Sequence, residues 1–451
     1  MKQIGFVCFG EVNTPFERLV IKHDGATGAL RALEQAQLID AGVVIDDEKY
    51  ETADRAIAML QGKELDCLIL SIAGWVPTHT VIRVTDHFRH LPVLLWGLCG
   101  WREGDHLVTT ADQAGTTALR PALAAMHYRF KFVYNVIGKP EPLDKIKAFT
   151  DAAYAARFLR SARVGSMGYR DMLLYGTQFE GNSMRGKIGI EVEPFEMLEM
   201  TQIASSLDKD AVAKTISYVK EHWVFEKPCE DRVLEIGARY ALAVGKKIEE
   251  RGYDAVTLID VDGMKRLLGF PPAMVFMLLE QYYDVLTVPE NDVMGAATQL
   301  IAKALTGQTA PYLEYYEFFE TSMLIGVPDF ITKSATDGEI RVLPTAFGLL
   351  SQSLLNISRI KTGLVTCLRL VYQDGRYGMH MYLADAKTPP RWEECGWASP
   401  APQLPSLEVF PLDCSVEQFA EKVSSQHVIV CYGDHREAVR DLCKLLEIDL
   451  L

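Results

Sequence analysis

Residues 283–320 read YDVLTVPENDVMGAATQLIAKALTGQTAPYLEYYEFFE. The stretch opens with an apolar, β-branched run, Val285–Val288, that has the character of a short buried strand. Glu290 and Asp292 stand at its end. A helix-patterned segment follows to about Leu305, then a Gly/Gln/Thr/Pro turn, then a second acidic cluster of Glu314, Glu317 and Glu320 among tyrosines and phenylalanines. Open α/β sheets place their chemistry at the carboxyl ends of parallel strands. Glu290 and Glu314 are 24 residues apart, which suits one strand–helix–strand step. Such a step can bring both carboxylates to one metal ion.

The sequence on the N-terminal side repeats this rhythm. Strand-like runs at Ile4–Phe9, Val43–Ile45, Asp66–Ser71 and Pro92–Trp96 alternate with helical spacing over 26–41, ended by Gly42, and over Thr52–Leu60. A βαβα order predicts a parallel sheet with helices on both faces. Two loops, AGWVPTHT and GLCGWREGDH, each follow a strand and carry Trp75, Thr78, His79, Trp101, Arg102 and His106. Those side chains can reach a ligand, and an ordinary surface loop with one packed tryptophan fits each loop equally well. No GxGxxG opens a helix after a strand, and there is no P-loop lysine pattern.

A second α/β region begins near Arg163 with RVGSMGYRDM, whose glycines suit a tight turn or an anion or hydroxyl contact. Lys187–Val192 reads as a strand, 207–221 and 230–250 as amphipathic helices, and Asp254–Asp260 as a strand ending in DVDG. Pro271 and Pro272 suit the start of the next helix. From about Ile340 the rhythm changes to strands: Arg359–Tyr372, the turn DGRYG, Met379–Leu383 and Leu407–Phe410. Asp-Gly between strand-like runs predicts a hairpin. A helix at Ser415–Val423, a strand at His427–Tyr432 and a helix at Arg436–Leu446 complete the chain. The expected fold is α/β. Two Rossmann-like parallel-sheet domains, 1–165 and 166–330, precede a mixed, mostly antiparallel β-rich C-terminal domain, 331–451.

Composition narrows the function classes. The 451 residues are 49% hydrophobic, enough for a sizeable core, and the formal charge of −14 argues against nucleic acid or an anionic membrane as main partner. Nine scattered cysteines with no CxxC pair read as free thiols of a reducing cytoplasm. The N-terminus enters a strand pattern directly, so no signal peptide is expected. No apolar run is long enough, at about 18 residues, to predict a membrane span.

Glu290, Glu314 and His427 form the constellation that can carry chemistry. Two carboxylates and one imidazole suit Mn²⁺, Mg²⁺ or Co²⁺ rather than structural zinc held by thiolates. Each signal has an ordinary reading when taken singly. A histidine at a strand start is more often hydrogen-bonded scaffold, and an acid such as Asp292 near a helix start complements the helix dipole.

Several segments, in order, resemble the L-fucose/L-arabinose isomerase superfamily. TVPENDV resembles that family's metal-binding Glu-Gly-Asp segment, PYLEYYEF its second acidic segment, and SSQHVIVCYGD its late His-containing strand. RIKTGLVTCLRLVYQDGRYG resembles the Gly-x-Val-Thr strand and turn of its C-terminal domain, and RVGSMGYRDM with GIEVEPFEM the start of its middle domain. The likeness is patchy but collinear over nearly the whole chain. It implies Glu290 and Glu314 as metal ligands and acid/base pair, His427 as third ligand, and Asp292 as support. It implies sugar contacts from Trp75, His79 and Trp101, one route being a site in a neighbouring subunit, and hence a homo-oligomer. Arg170 is a candidate for substrate binding. Departures are Asn291 where the family has glycine, Gln426 where relatives can carry a second histidine, and Pro328 or Asp329 where many place a histidine.

The expected function is a cytoplasmic, Mn²⁺-dependent (or Mg²⁺/Co²⁺-dependent) aldose–ketose isomerase acting on a small sugar through an enediol(ate). The alternatives are an anionic substrate such as sulfoquinovose or a phosphorylated sugar, another reaction class in the same metal pocket, and a non-catalytic sugar-binding protein. An anionic sugar needs a basic anchor, for which Arg102, Arg170, Arg185 and Lys187 are candidates.

Overall fold

Apolar runs bounded by turn residues form parallel sheets in the first two-thirds of the chain, as their sequence suggests. The structure, a computed structural model, describes residues 1–33, 35–327, 330–345, 353–392 and 403–451. It divides into two units: Met1–Arg157 with Glu437–Glu447, and Phe158–Arg436 with Ile448–Leu451.

The first unit holds a five-stranded sheet in the order Ala36–Val44, Lys2–Phe9, Cys67–Ile72, Val93–Gly97, Phe130–Tyr134, with every pairing parallel. Cys67–Ile72 and Val93–Gly97 are buried on both faces, which is why they read as unbroken apolar runs. Residues 437–447 supply most of the unit's last helix, where Glu437 and Asp441 accept hydrogen bonds of 2.7 and 2.6 Å from Lys131.

Two expectations fail in this unit. The helix expected over 26–41 is instead the helix Phe16–Arg31 followed by the strand Ala36–Val44. Leu30 and Leu33 fit the helical phase and its exit, whereas the β-branched Ile39, Val43 and Val44 favour the extended strand that pairs with Lys2–Phe9. The two loops also carry more order than expected. Thr78 opens the helix Thr78–Thr85, and Trp101–Glu103 pairs with His106–Val108 as a small hairpin.

The second unit begins with a four-stranded parallel sheet in the order Leu286–Val288, Ala255–Leu258, Arg163–Met167, Glu191–Phe195. The strand expected at Lys187–Val192 is displaced. Met184–Ile188 forms a π-helical turn, Gly189 takes a left-handed φ of 103°, and the strand starts at Glu191. The helices Asp231–Arg251 and Ala273–Tyr283 pack over a core that includes Val244, Met274 and Phe276.

The C-terminal region is mostly antiparallel and closes into a barrel, with Asp449–Leu450 added parallel at one side. The barrel's six strands run in the order Gly363–Gln373, His427–Tyr432, Tyr312–Phe318, Met323–Gly326, Ser406–Pro411, Arg376–Lys387, and the last pairs back to the first. Closure satisfies ladder groups that an open edge would leave bare. Leu313, Ile325, Cys367, Leu407, Val409 and Val428 fill the interior. The Asp-Gly hairpin forms as expected, with Asp374 and Gly375 both left-handed at φ 50° and 78°. The second acidic segment does not enter a parallel sheet. It joins the barrel, so the strand–helix–strand step of 283–320 crosses from one sheet to another.

Candidate metal centre

Glu290 lies one residue beyond the strand Leu286–Val288 and its following Pro289, at the carboxyl edge of the parallel sheet. The turn there is strained: Glu290 and Asn291 have φ of 63° and 49°. L-residues tolerate this region poorly, and asparagine is among those that tolerate it best, which suits Asn291 to its φ. The turn is pinned from below. Glu290 N–H donates to Asp260 Oδ1 at 2.5 Å, Asn291 N–H to the Leu258 carbonyl at 3.0 Å, and Asn291 Nδ2 to the Met167 carbonyl at 2.8 Å. Asp292 then caps the helix Val293–Thr306, its Oδ1 accepting from Gly295 N–H at 2.8 Å.

Glu314 and His427 reach the same place from the barrel. They are directly opposed across the antiparallel strands Tyr312–Phe318 and His427–Tyr432. Their neighbours Leu313 and Val428 face the barrel core, so alternation puts Glu314 and His427 on the other face. His427 Nε2 is 3.0 Å from Glu314 Oε1 and 3.2 Å from Glu290 Oε2. One ligand atom from each of the three residues lies within 4.8 Å of the other two. Cis ligands around an octahedral ion with bonds of about 2.1 Å are separated by about 3 Å, close to those two spacings. Three protein donors would leave three positions of such a shell for water or substrate oxygens.

Burial and charge act together here. His427 is 1% exposed and Glu290 5%, while the side chain of Glu314 keeps 22% and forms the open side. Burial alone would depress the His427 pKa, but Glu290, Asp292 and Glu314 push it up to about 9. Burial works against the Asp292 carboxylate too, yet the Arg369 guanidinium and His427 hold its pKa well below the usual range. Arg369 Nη1 and Nη2 donate to Asp292 Oδ2 and Oδ1 at 2.5 and 3.0 Å. Tyr312 donates its hydroxyl to Asp292 Oδ2 at 2.8 Å and lays its ring on His427 at 4.5 Å.

The structure thus brings together Glu290, Asp292, Glu314 and His427, all in the second unit. Arg170, in the same unit, lies over the Tyr175 ring at 5.0 Å on a loop whose Gly176 carbonyl accepts from Arg369. Trp75, His79 and Trp101 belong to the first unit. Trp75 is 41% exposed, His79 packs edge-on to Tyr50, and Trp101 carries Arg18 and Lys22 over its ring. Pro328 and Asp329 lie outside the described residues. The Gln426 amide sits 3.1 Å from His427 Nε2. Sequence reasoning passed over Arg369 and Tyr312. The signal for Arg369 was a single cation inside the apolar strand LVTCLRLVY.

No protein-family profile matches the chain, and no curated protein matches it. Among solved structures it is similar to ABC-transporter solute-binding proteins. One from Agrobacterium vitis, bound with α-D-tagatopyranose, shares 14% identity over 74% of this chain and 92% of that one, with a TM-score of 0.18. A second from the same organism, with bound D-fucose, shares 13% over 68% and 87%, with a TM-score of 0.17. A third from Actinobacillus succinogenes 130z, with bound D-allose, shares 12% over 74% and 95%, with a TM-score of 0.16. At such TM-scores these likenesses carry no weight for fold, ligand or activity.

Proposed function

We propose that Glu290, Glu314 and His427 hold a divalent cation, Mn²⁺ or else Mg²⁺ or Co²⁺, and that the protein is a metal-dependent aldose–ketose isomerase. The observation that carries this reading is the convergence of two carboxylates and one imidazole, from a parallel sheet and an antiparallel barrel, on a single point with an open side. A bound divalent ion would polarise a sugar carbonyl and offset the charge of an enediolate. The chain's own part is proton transfer. One carboxylate takes the proton from C2 and returns it to C1, while the other serves the hydroxyl proton. Glu290, the more buried of the two, suits the carbon-bound proton, and Glu314, at the open side, suits the exchangeable one.

The rest of the reading has its own support. The all-parallel pairing of two sheets supports a Rossmann-like description of those layers. The eight described cysteines are unbridged, which supports a reducing, cytoplasmic setting. No helix among the described residues is long and apolar enough to cross a membrane.

The decisive experiment is an aldose screen with Mn²⁺, run in heavy water with product analysis. An isomerase gives a 2-ketose, and deuterium at C1 marks the share of the transferred proton that exchanges with solvent before its return. Glu290→Gln and Glu314→Gln should each lower kcat by about a thousand-fold or more and weaken metal retention. A Gln variant with normal turnover, or sugar binding indifferent to chelator, overturns the reading.

A further inference from the structure

Arg369 is a buried cation near the cluster whose presence the cation reading leaves unexplained. It sits on the barrel strand Gly363–Gln373, 3% exposed, with an apolar side chain on each sequence neighbour. Burying a guanidinium is expensive, and a buried ion pair is weak evidence of added stability compared with apolar residues of the same volume. Its hydrogen bonding is also incomplete. Among the described residues Nε has no acceptor, and only the two Nη groups are engaged, with Asp292 and the Gly176 carbonyl. A side chain placed for stability alone would be better satisfied.

What Arg369 does is hold one carboxylate in one orientation. Its fork grips both oxygens of Asp292, and a bidentate contact fixes the plane of the carboxylate as well as its position. The same oxygens take the Gly295 N–H and the Tyr312 hydroxyl, and Asp292 Oδ2 lies 3.6 Å from His427 Nδ1. At that spacing, just beyond hydrogen-bond length, the carboxylate electrostatically favours the ring orientation in which the other nitrogen faces the ion. Here that other nitrogen is Nε2, the atom beside Glu290 and Glu314.

We propose that Arg369 is a positioning residue for the cation site: it locks Asp292 behind His427 and so holds the ring with Nε2 toward the ion. The proposal rests on the cation reading above. It assigns Arg369 no contact with substrate.

The test is Mn²⁺ titration of the metal-free full-length protein by calorimetry, with the electron paramagnetic resonance spectrum of the bound ion recorded in parallel. Wild type, Arg369→Gln, Arg369→Lys and Asp292→Asn are compared, and thermal unfolding of each metal-free protein is measured. Arg369→Gln and Asp292→Asn should each bind Mn²⁺ about ten- to a hundred-fold more weakly, and both should change the spectrum as the His427 ring loses its fixed orientation. Arg369→Lys should recover only part of the affinity, because it restores the charge and not the fork. Should Arg369→Gln fail to fold, Asp292→Asn, which keeps shape and volume, decides. Variants that unfold earlier but bind Mn²⁺ with wild-type affinity and spectrum overturn the proposal and leave the cation reading standing. A wild-type protein that takes up no divalent ion overturns both.

Discussion

Glu290 and the Glu314–His427 pair reach the same point by opposite means. The pair is set by a ladder: two residues face each other across antiparallel strands of a closed ring, and their spacing follows from register. Glu290 is set by a turn, with two successive non-glycine residues in left-handed conformation and four hydrogen bonds from below, one of them to Ser166, to hold them. A ladder position is robust to side-chain exchange, because the backbone defines it. A strained turn persists only while its surroundings over-determine it. The site therefore joins one half that should tolerate rearrangement to another that should not.

The largest test of that contrast exchanges the ladder partners. Glu314→His and His427→Glu, made singly, should each lower Mn²⁺ affinity more than the hundred-fold at which loss of a supporting partner tops out. Made together, they restore two carboxylates and one imidazole at the same register, and affinity should recover at least about ten-fold over the weaker single variant. Recovery stays partial because Asp292 then backs the wrong side chain. No recovery at all would mean that register is not what sets the spacing. Titration calorimetry reads all three.

A smaller effect probes the barrel wall itself. His380 is buried on Arg376–Lys387 and stacks on Phe419, with ring centroids 4.9 Å apart. Burial, helped by Lys422, depresses its pKa to about 4. In the unfolded chain it titrates near 6.5, so between those values the unfolded state binds more protons. Stability is thus lost as pH falls from about 6.5 to about 4, by about 3 kcal/mol in all. Urea unfolding of wild type and His380→Gln across that window should show a gap that varies with pH in this sense. A gap independent of pH would remove His380 as the cause.

The smallest concerns the turn. Asn291→Ala loses the bonds to Met167 and Ser166 and keeps the left-handed φ, which should cost about 2 kcal/mol. Asn291→Gly loses the same bonds without the conformational strain and should cost about half as much. If the alanine variant is as stable as the glycine one, the turn is not strained in the way its φ values indicate.

The elements themselves were largely legible. Asp231–Arg251 and Arg436–Leu446 show helical spacing, His427–Tyr432 is an apolar run cut off by Gly433, and Asp374-Gly375 announces its hairpin. Membership was not legible. Tyr312–Phe318 looks alike whether it joins a parallel sheet or a barrel, because pairing partners are distant in sequence and leave no local pattern. The three ligands were visible as residue types, but their meeting depends on barrel closure. Arg369 stood out as a lone cation in an apolar run, but its pairing was hidden for the same reason. Its partner, Asp292, precedes it by 77 residues, and only the register of folded strands makes them neighbours.

Residues 437–447 belong to the unit that begins at Met1, although some 280 residues of the other unit intervene. During synthesis, the N-terminal sheet must therefore wait for nearly all the remaining chain to leave the ribosome before its closing helix arrives. Until then Lys131 has neither Glu437 nor Asp441 beside it, and the flank that they will cover stands open to chaperones and proteases.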